Sequence, residues 1–70
     1  MLFDIKNRLR QQGRSQSSLI PILHERGIRV DTSSLSDALN GRRNSASYIE
    51  ILENCNDIVM QMERIAAKIV

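Results

Sequence analysis

The sequence predicts a small all-α domain. Three observations carry that expectation: apolar residues recur at three- and four-residue spacing along most of the chain, Gly13, Gly27 and Gly41 punctuate it at helix-length intervals, and no stretch sustains the alternation of a β-strand. At 70 residues the chain is one domain, near the size at which a lone hydrophobic core is only marginally stable. Hydrophobic residues make up 41% and charged residues 26%, too apolar a mixture for a disordered chain.

Helix 1 is expected from Phe3 to Gln12, with Leu2, Ile5 and Leu9 on one stripe and Gly13 as its stop. Helix 2 begins at Ser15 or Ser17 and continues to His24 or Arg26, with Leu19, Ile20 and Leu23 inward and Gly27 as the stop. A start at Ser17 is the easier one, because it places Pro21 near the first turn, where a missing N–H costs little. The run Gly27-Ile28-Arg29-Val30 reads as an extended turn pinned by Ile28 and Val30, with Asp31 as the cap of helix 3, Thr32 to Asn40. On helix 3, Leu35, Ala38 and Leu39 share one face, while Thr32, Ser33, Ser36 and Asp37 point elsewhere.

Helix 4 is assigned from Ser47-Tyr48-Ile49-Glu50, read as a capping box. Neither Gly nor Pro follows, so the helix can run to the end of the sequence, on the order of 36 Å for 24 residues. It carries two apolar rows, Tyr48, Ile51, Cys55, Ile58, Met62, Ile65, Ile69 and Leu52, Cys55, Val59, Met62, Ala66, Ile69. So broad a stripe exceeds what one small core is expected to cover. Its distal half, Ile58, Val59, Met62, Ile65, Ala66 and Ile69, is therefore assigned to pairing with a second copy of the chain. The organisation is a core of residues 1–46 followed by a core and dimerisation helix, 47–70.

Charge is unevenly distributed. Through Arg43, eight Lys or Arg face four Asp or Glu, a net +4; beyond it two face four, a net −2. The first part is the one suited to phosphate. No apolar run is long enough to cross a membrane, and the alternating charges of residues 1–12 do not read as a secretory leader, so a cytoplasmic location is expected. The single cysteine, Cys55, lies on an apolar stripe and reads as packing; it supplies neither an internal disulfide nor, alone, a zinc site. His24 has no second ligand or nucleophile at usable spacing, no serine sits in a Gly-x-Ser-x-Gly elbow, and no phosphate-binding glycine loop is present. The expectation is a non-enzyme without cofactor, metal or small-molecule substrate. Phe3 and Tyr48 are too few and too separated to stack single-stranded bases.

Gly13-Arg14-Ser15-Gln16-Ser17-Ser18-Leu19, followed by Leu35-Ser36-Asp37-Ala38-Leu39-Asn40-Gly41-Arg42-Arg43, resembles the phage repressor/Cro-type helix-turn-helix family, especially short prophage-associated regulators. The likeness spans about residues 3 to 56. It implies a four-helix helix-turn-helix domain that binds double-stranded DNA as a homodimer on a palindromic operator, with helix 32–39 in the major groove and repression as its role. By the same resemblance Gln16 and Ser17 hold a phosphate, Asn40, Arg42 and Arg43 lie along the phosphate backbone, and Thr32, Ser33 and Asp37 face base edges with Ser36 in reserve. Two departures stand out: the segment from Leu19 to Thr32 is several residues longer than the family pattern, and Ile20 occupies a position where the family carries a small residue. The alternative from a different class is a protein-interaction module, antirepressor or antitoxin-like, that uses the apolar stripe of helix 4.

Overall fold

A computed structural model describes the backbone of residues 2–42 and 45–69 and the side chains of residues 3–42 and 45–67. Among these it contains four α-helices and no strand: α1 Ile5–Gln11, α2 Leu19–Glu25, α3 Thr32–Leu39 and α4 Ala46–Ile69, with single 3₁₀ turns at Leu2–Asp4 and Gln16–Ser18. The all-α class and the long final helix are as the sequence predicts. The first three helices pack against α4.

Helix α1 begins later than expected. Phe3 (φ 66°) and Asp4 (φ 49°) are left-handed, which interrupts the helix before Ile5. Side chains hold that turn: Arg8 Nη1 donates to the Phe3 carbonyl at 3.1 Å, and Asn7 Nδ2 to Asp4 Oδ2 at 3.2 Å. At the other end Gly13 takes φ +68°, which lets the Arg14 N–H turn back onto the Leu9 carbonyl at 3.0 Å. The same device ends α2, where Gly27 at φ +81° brings the Ile28 N–H to the Leu23 carbonyl at 2.9 Å. Both bonds feed the core, because they reverse the chain directly behind Leu9 and Leu23, each at most 1% exposed.

Both expected starts of helix 2 are replaced by a compromise. Ser15 is extended, its carbonyl accepts from the Ser18 N–H at 3.2 Å, and a 3₁₀ turn precedes the α-helix proper at Leu19. Pro21 thus falls in the first α-turn, where it interrupts no established ladder. Beyond Gly27, Val30 is buried and Ile28 half-buried, as their alternation predicts. His24 also closes this connection, donating from Nε2 to the Val30 carbonyl at 3.0 Å.

Two expectations for helix 4 are corrected. Ser47 is not its cap: α4 starts at Ala46, and the Ser45 carbonyl accepts from the N–H groups of Tyr48 and Ile49. Ile58 and Val59 are not available to a second copy either, being 3% and 0% exposed within the chain's own core. The physical reason is that α1, α2 and α3 all lean on α4, so the chain's one small core covers more of the broad stripe than its width implies. Two polar clamps fix the arrangement: Arg8 donates through Nε and Nη2 to the Glu63 carboxylate (3.1 and 2.6 Å) and through Nη1 to Asn56 Oδ1 (2.7 Å), while Arg26 pairs with Asp57 at 2.9 Å. The pair raises the Arg8 pKa and lowers that of Glu63, each chiefly through their shared hydrogen bond. Cys55 is fully buried among these helices, and desolvation pushes its thiol up to about 11, which suits packing and not reactivity.

What remains uncovered on α4 is its distal end. Met62 is half-buried, Ile65 is 60% exposed and Ala66 is exposed; the side chain of Ile69 lies outside the described residues. No described helix is long and apolar enough to cross a membrane.

Candidate nucleic-acid interface

Helix α3 is positioned by its cap and its buried face. Asp31 is extended (φ −106°, ψ 179°) and its Oδ1 accepts from the Ser34 N–H at 2.7 Å, satisfying one otherwise unpaired donor of the first turn. That hydrogen bond stabilises the charged carboxylate and lowers its pKa. The Asp31 contribution to stability is therefore complete above the unfolded-state value and is lost as pH falls through the lower folded-state value. Asp31→Ala is expected to lower the melting temperature at neutral pH, and the gap from wild type should close in strong acid; a gap independent of pH would refute the cap.

Leu35, Ala38 and Leu39, each at most 1% exposed, seat α3 in the core. Thr32 and Ser33 consequently stand exposed on its first turn, off the buried face as their spacing predicts. Ser36 and Asp37 are half-buried and already engaged. Ser36 Oγ accepts from Asn40 Nδ2 at 3.1 Å, Asn40 Oδ1 accepts from Lys6 Nζ at 2.8 Å, and the Asp37 carboxylate stands 3.8 Å from Arg42 Nη1. Ser36 and Asn40 thus serve first to fasten the end of α3 to α1. Arg42 is well exposed and enters the turn after Gly41, which bends back so that the Arg42 N–H reaches the Asp37 carbonyl at 3.1 Å. Arg43 lies outside the described residues.

Gln16 and Ser17 open the 3₁₀ turn that packs against α3. Ser17 Oγ is 2.9 Å from Ser15 Oγ, whereas Gln16 lines a cleft of about 300 Å³ together with Lys6, Leu9, Arg10, Gly13, Arg14 and Ser15. Lys6, Arg10 and Arg14 had no assigned role in the sequence reading. The four-residue spacing of Lys6 and Arg10 on one helical face was a readable signal; Arg14 joins them only because Gly13 reverses the chain. Among the described residues no group of His, Cys, Asp and Glu converges to hold a metal ion.

The faces therefore separate by chemistry. Polar α3 residues and cations cluster around the α1–α3 side, and the apolar remainder lies on distal α4. No protein-family model, curated protein or solved structure matches the chain.

Proposed function

We propose that the chain is a sequence-specific double-stranded-DNA-binding regulator, a binding protein and not an enzyme, that represses transcription in the cytoplasm by occupying an operator. The observation that carries this reading is the exposed first turn of α3. Thr32 and Ser33 project from a helix fixed at its start by the Asp31 cap and at its end by the Lys6–Asn40–Ser36 hydrogen bonds. A helix so held can enter a major groove without first being ordered, and hydroxyls with a threonine methyl suit base edges and the thymine methyl. Arg42, in the turn that follows, stands where a backbone phosphate would flank the groove. In this reading Asp37 holds Arg42 near α3 in the free protein and exchanges it for DNA.

The proposed unit is a homodimer, its two copies joined through distal α4 with Met62, Ile65 and Ala66 at the contact, which would present two α3 helices to successive major grooves about 34 Å apart. A second reading has its own observation. Gln11, Gln12, Arg14, Met62, Ile65 and Ala66 line a groove of about 280 Å³, and Gln12 Nε2 is buried there without an acceptor among the described residues. A module that docks another protein in that groove would use the same face.

Anisotropy titrations of labelled duplex across a salt series separate the two. The DNA reading expects affinity that falls steeply with salt, and no binding at low salt would overturn it. With a selected operator in hand, Arg42→Ala should weaken all sequences alike and reduce the salt slope by about 1, whereas Thr32→Ala should relax preference at one base position.

A further inference from the structure

We infer that the cleft between α1 and the Gly13–Gln16 turn is a phosphate-binding site, and that it takes a backbone phosphate of duplex DNA beside the C-terminal end of α3. The inference rests on the duplex reading above and adds to it a contact surface on α1, with Lys6, Arg10 and Arg14 as the phosphate ligands.

Charge accounting singles out this cleft. Arg8, Arg26 and Arg42 each face a carboxylate, Glu63, Asp57 and Asp37 respectively. The cleft, by contrast, gathers three cations and no acidic residue. Lys6 is held by the neutral amide of Asn40, which fixes the ammonium without cancelling its charge. Arg10 and Arg14 are exposed and make no ion pair among the described residues. Three like charges around one concavity repel, and an anion seated between them relieves that repulsion.

These cations are not needed as caps of α1, because its last turn is closed by backbone. The Leu9 carbonyl accepts from Gln12 and Arg14 N–H groups, and the Arg10 carbonyl from Gly13 N–H, each at 3.0 Å. Arg10 and Arg14 are thus left to face outward. Ser15 and Gln16, on the opposite lip, add neutral donors of the kind that complete a tetrahedral oxyanion's shell.

Placement names the source of the phosphate. One lip touches α3 through the 2.8 Å Lys6–Asn40 bond, and the other belongs to the turn Gln16–Ser18 that packs on α3. The eight residues of α3 span about 12 Å, matching a major groove about 12 Å wide. With Thr32 at the base edges, Asn40 therefore reaches the groove wall, and the cleft meets the phosphates that stand there. A free phosphate or nucleotide shares the chemistry but has no reason to require the α3 end.

The test measures duplex affinity against salt for the full chain, for Arg14→Gln, for Lys6→Gln/Arg10→Gln/Arg14→Gln and for the control Arg64→Gln, which lies on the opposite side of α4 from Met62. Circular dichroism melts verify folding, and Arg14→Gln, outside every helix, serves if the triple variant unfolds. The log–log slope should become shallower by about 0.9 for Arg14→Gln and about 2.7 for the triple variant, with the control unchanged. Duplex binding with an unaltered slope in the variants would overturn the cleft while leaving the duplex reading in place. Failure of the wild type to bind duplex would overturn both. In a parallel arm, inorganic phosphate and a mononucleotide are titrated while the amide resonances of Arg14 and Gln16 are followed; saturation by either without duplex binding would reassign the cleft to a free phosphate and overturn the DNA source.

Discussion

Leu35→Ala is expected to abolish cooperative folding near physiological temperature. Leu35 is 1% exposed and, with Ala38 and Leu39, is the means by which α3 is seated on the rest of the chain. Truncating a buried leucine removes its transfer free energy and leaves a cavity, together about 2–5 kcal/mol. A single core in a domain of this length supplies rarely more than about 3–5 kcal/mol in total, so the loss is comparable to the whole. The α3 surface contributes little to recovery, because Thr32 and Ser33 are exposed and lie off the buried face. Chemical denaturation should show the midpoint collapsing toward zero denaturant. Ile49→Ala provides the matched control: Ile49 is 40% exposed, and its loss should leave the midpoint nearly unchanged. A Leu35→Ala protein with wild-type stability would mean that α3 is not seated as described.

The buried half of each helix was legible because it depends on local rules. Ile5, Leu9, Leu19, Leu23, Leu35, Ala38 and Leu39 follow helical spacing, and the stops at Gly13, Gly27 and Gly41 follow from backbone sterics that act within one turn. Asp31 was legible as a cap for the same reason. Long-range packing was not. Whether Ile58 and Val59 meet three helices of their own chain or a second copy depends on how α1 and α2 dock, and that docking is fixed by pairs such as Arg8–Glu63, separated by 55 residues. The start of α1 escaped because a left-handed Phe3 runs against its intrinsic preference and is sustained by the Arg8 contact to its carbonyl. At the candidate interface, residue type identified Thr32 and Ser33 as exposed polar groups, but type alone could not show that Ser36 and Asn40 are tied to Lys6. Nor could it bring Arg14 back beside Arg10. The α1 cleft exists because of a turn, and a turn's outcome is a three-dimensional fact.

Paired aspartate substitutions on α4 are expected to separate its two halves. Val59→Asp places a carboxylate at a position with 0% exposure in the hydrophobic core, where an uncompensated buried charge costs about 3–5 kcal/mol. That again matches the stability of the whole domain, so the variant should be unfolded at neutral pH. Six residues on, about 9 Å along the helix, Ile65→Asp falls on a side chain 60% exposed and should leave the melting temperature within about 0.5 kcal/mol of wild type in free-energy terms. Its effect should appear in association instead. If distal α4 joins two copies across Met62, Ile65 and Ala66, the two-fold symmetry of the contact sets the two new carboxylates against each other, which repels in a site being desolvated. Sedimentation equilibrium should then find a dimer for the wild type and a folded monomer for Ile65→Asp. The monomer should also bind operator more weakly and with a shallower salt dependence, since each half-site must be captured separately once the second copy no longer supplies a high effective concentration. A monomeric wild type would refute the dimer, and an Ile65→Asp dimer would move the interface off this helix. A wild-type monomer that nevertheless loses a protein ligand on Ile65→Asp would favour the interaction-module reading, because the exposed end of α4 would then serve a different chain.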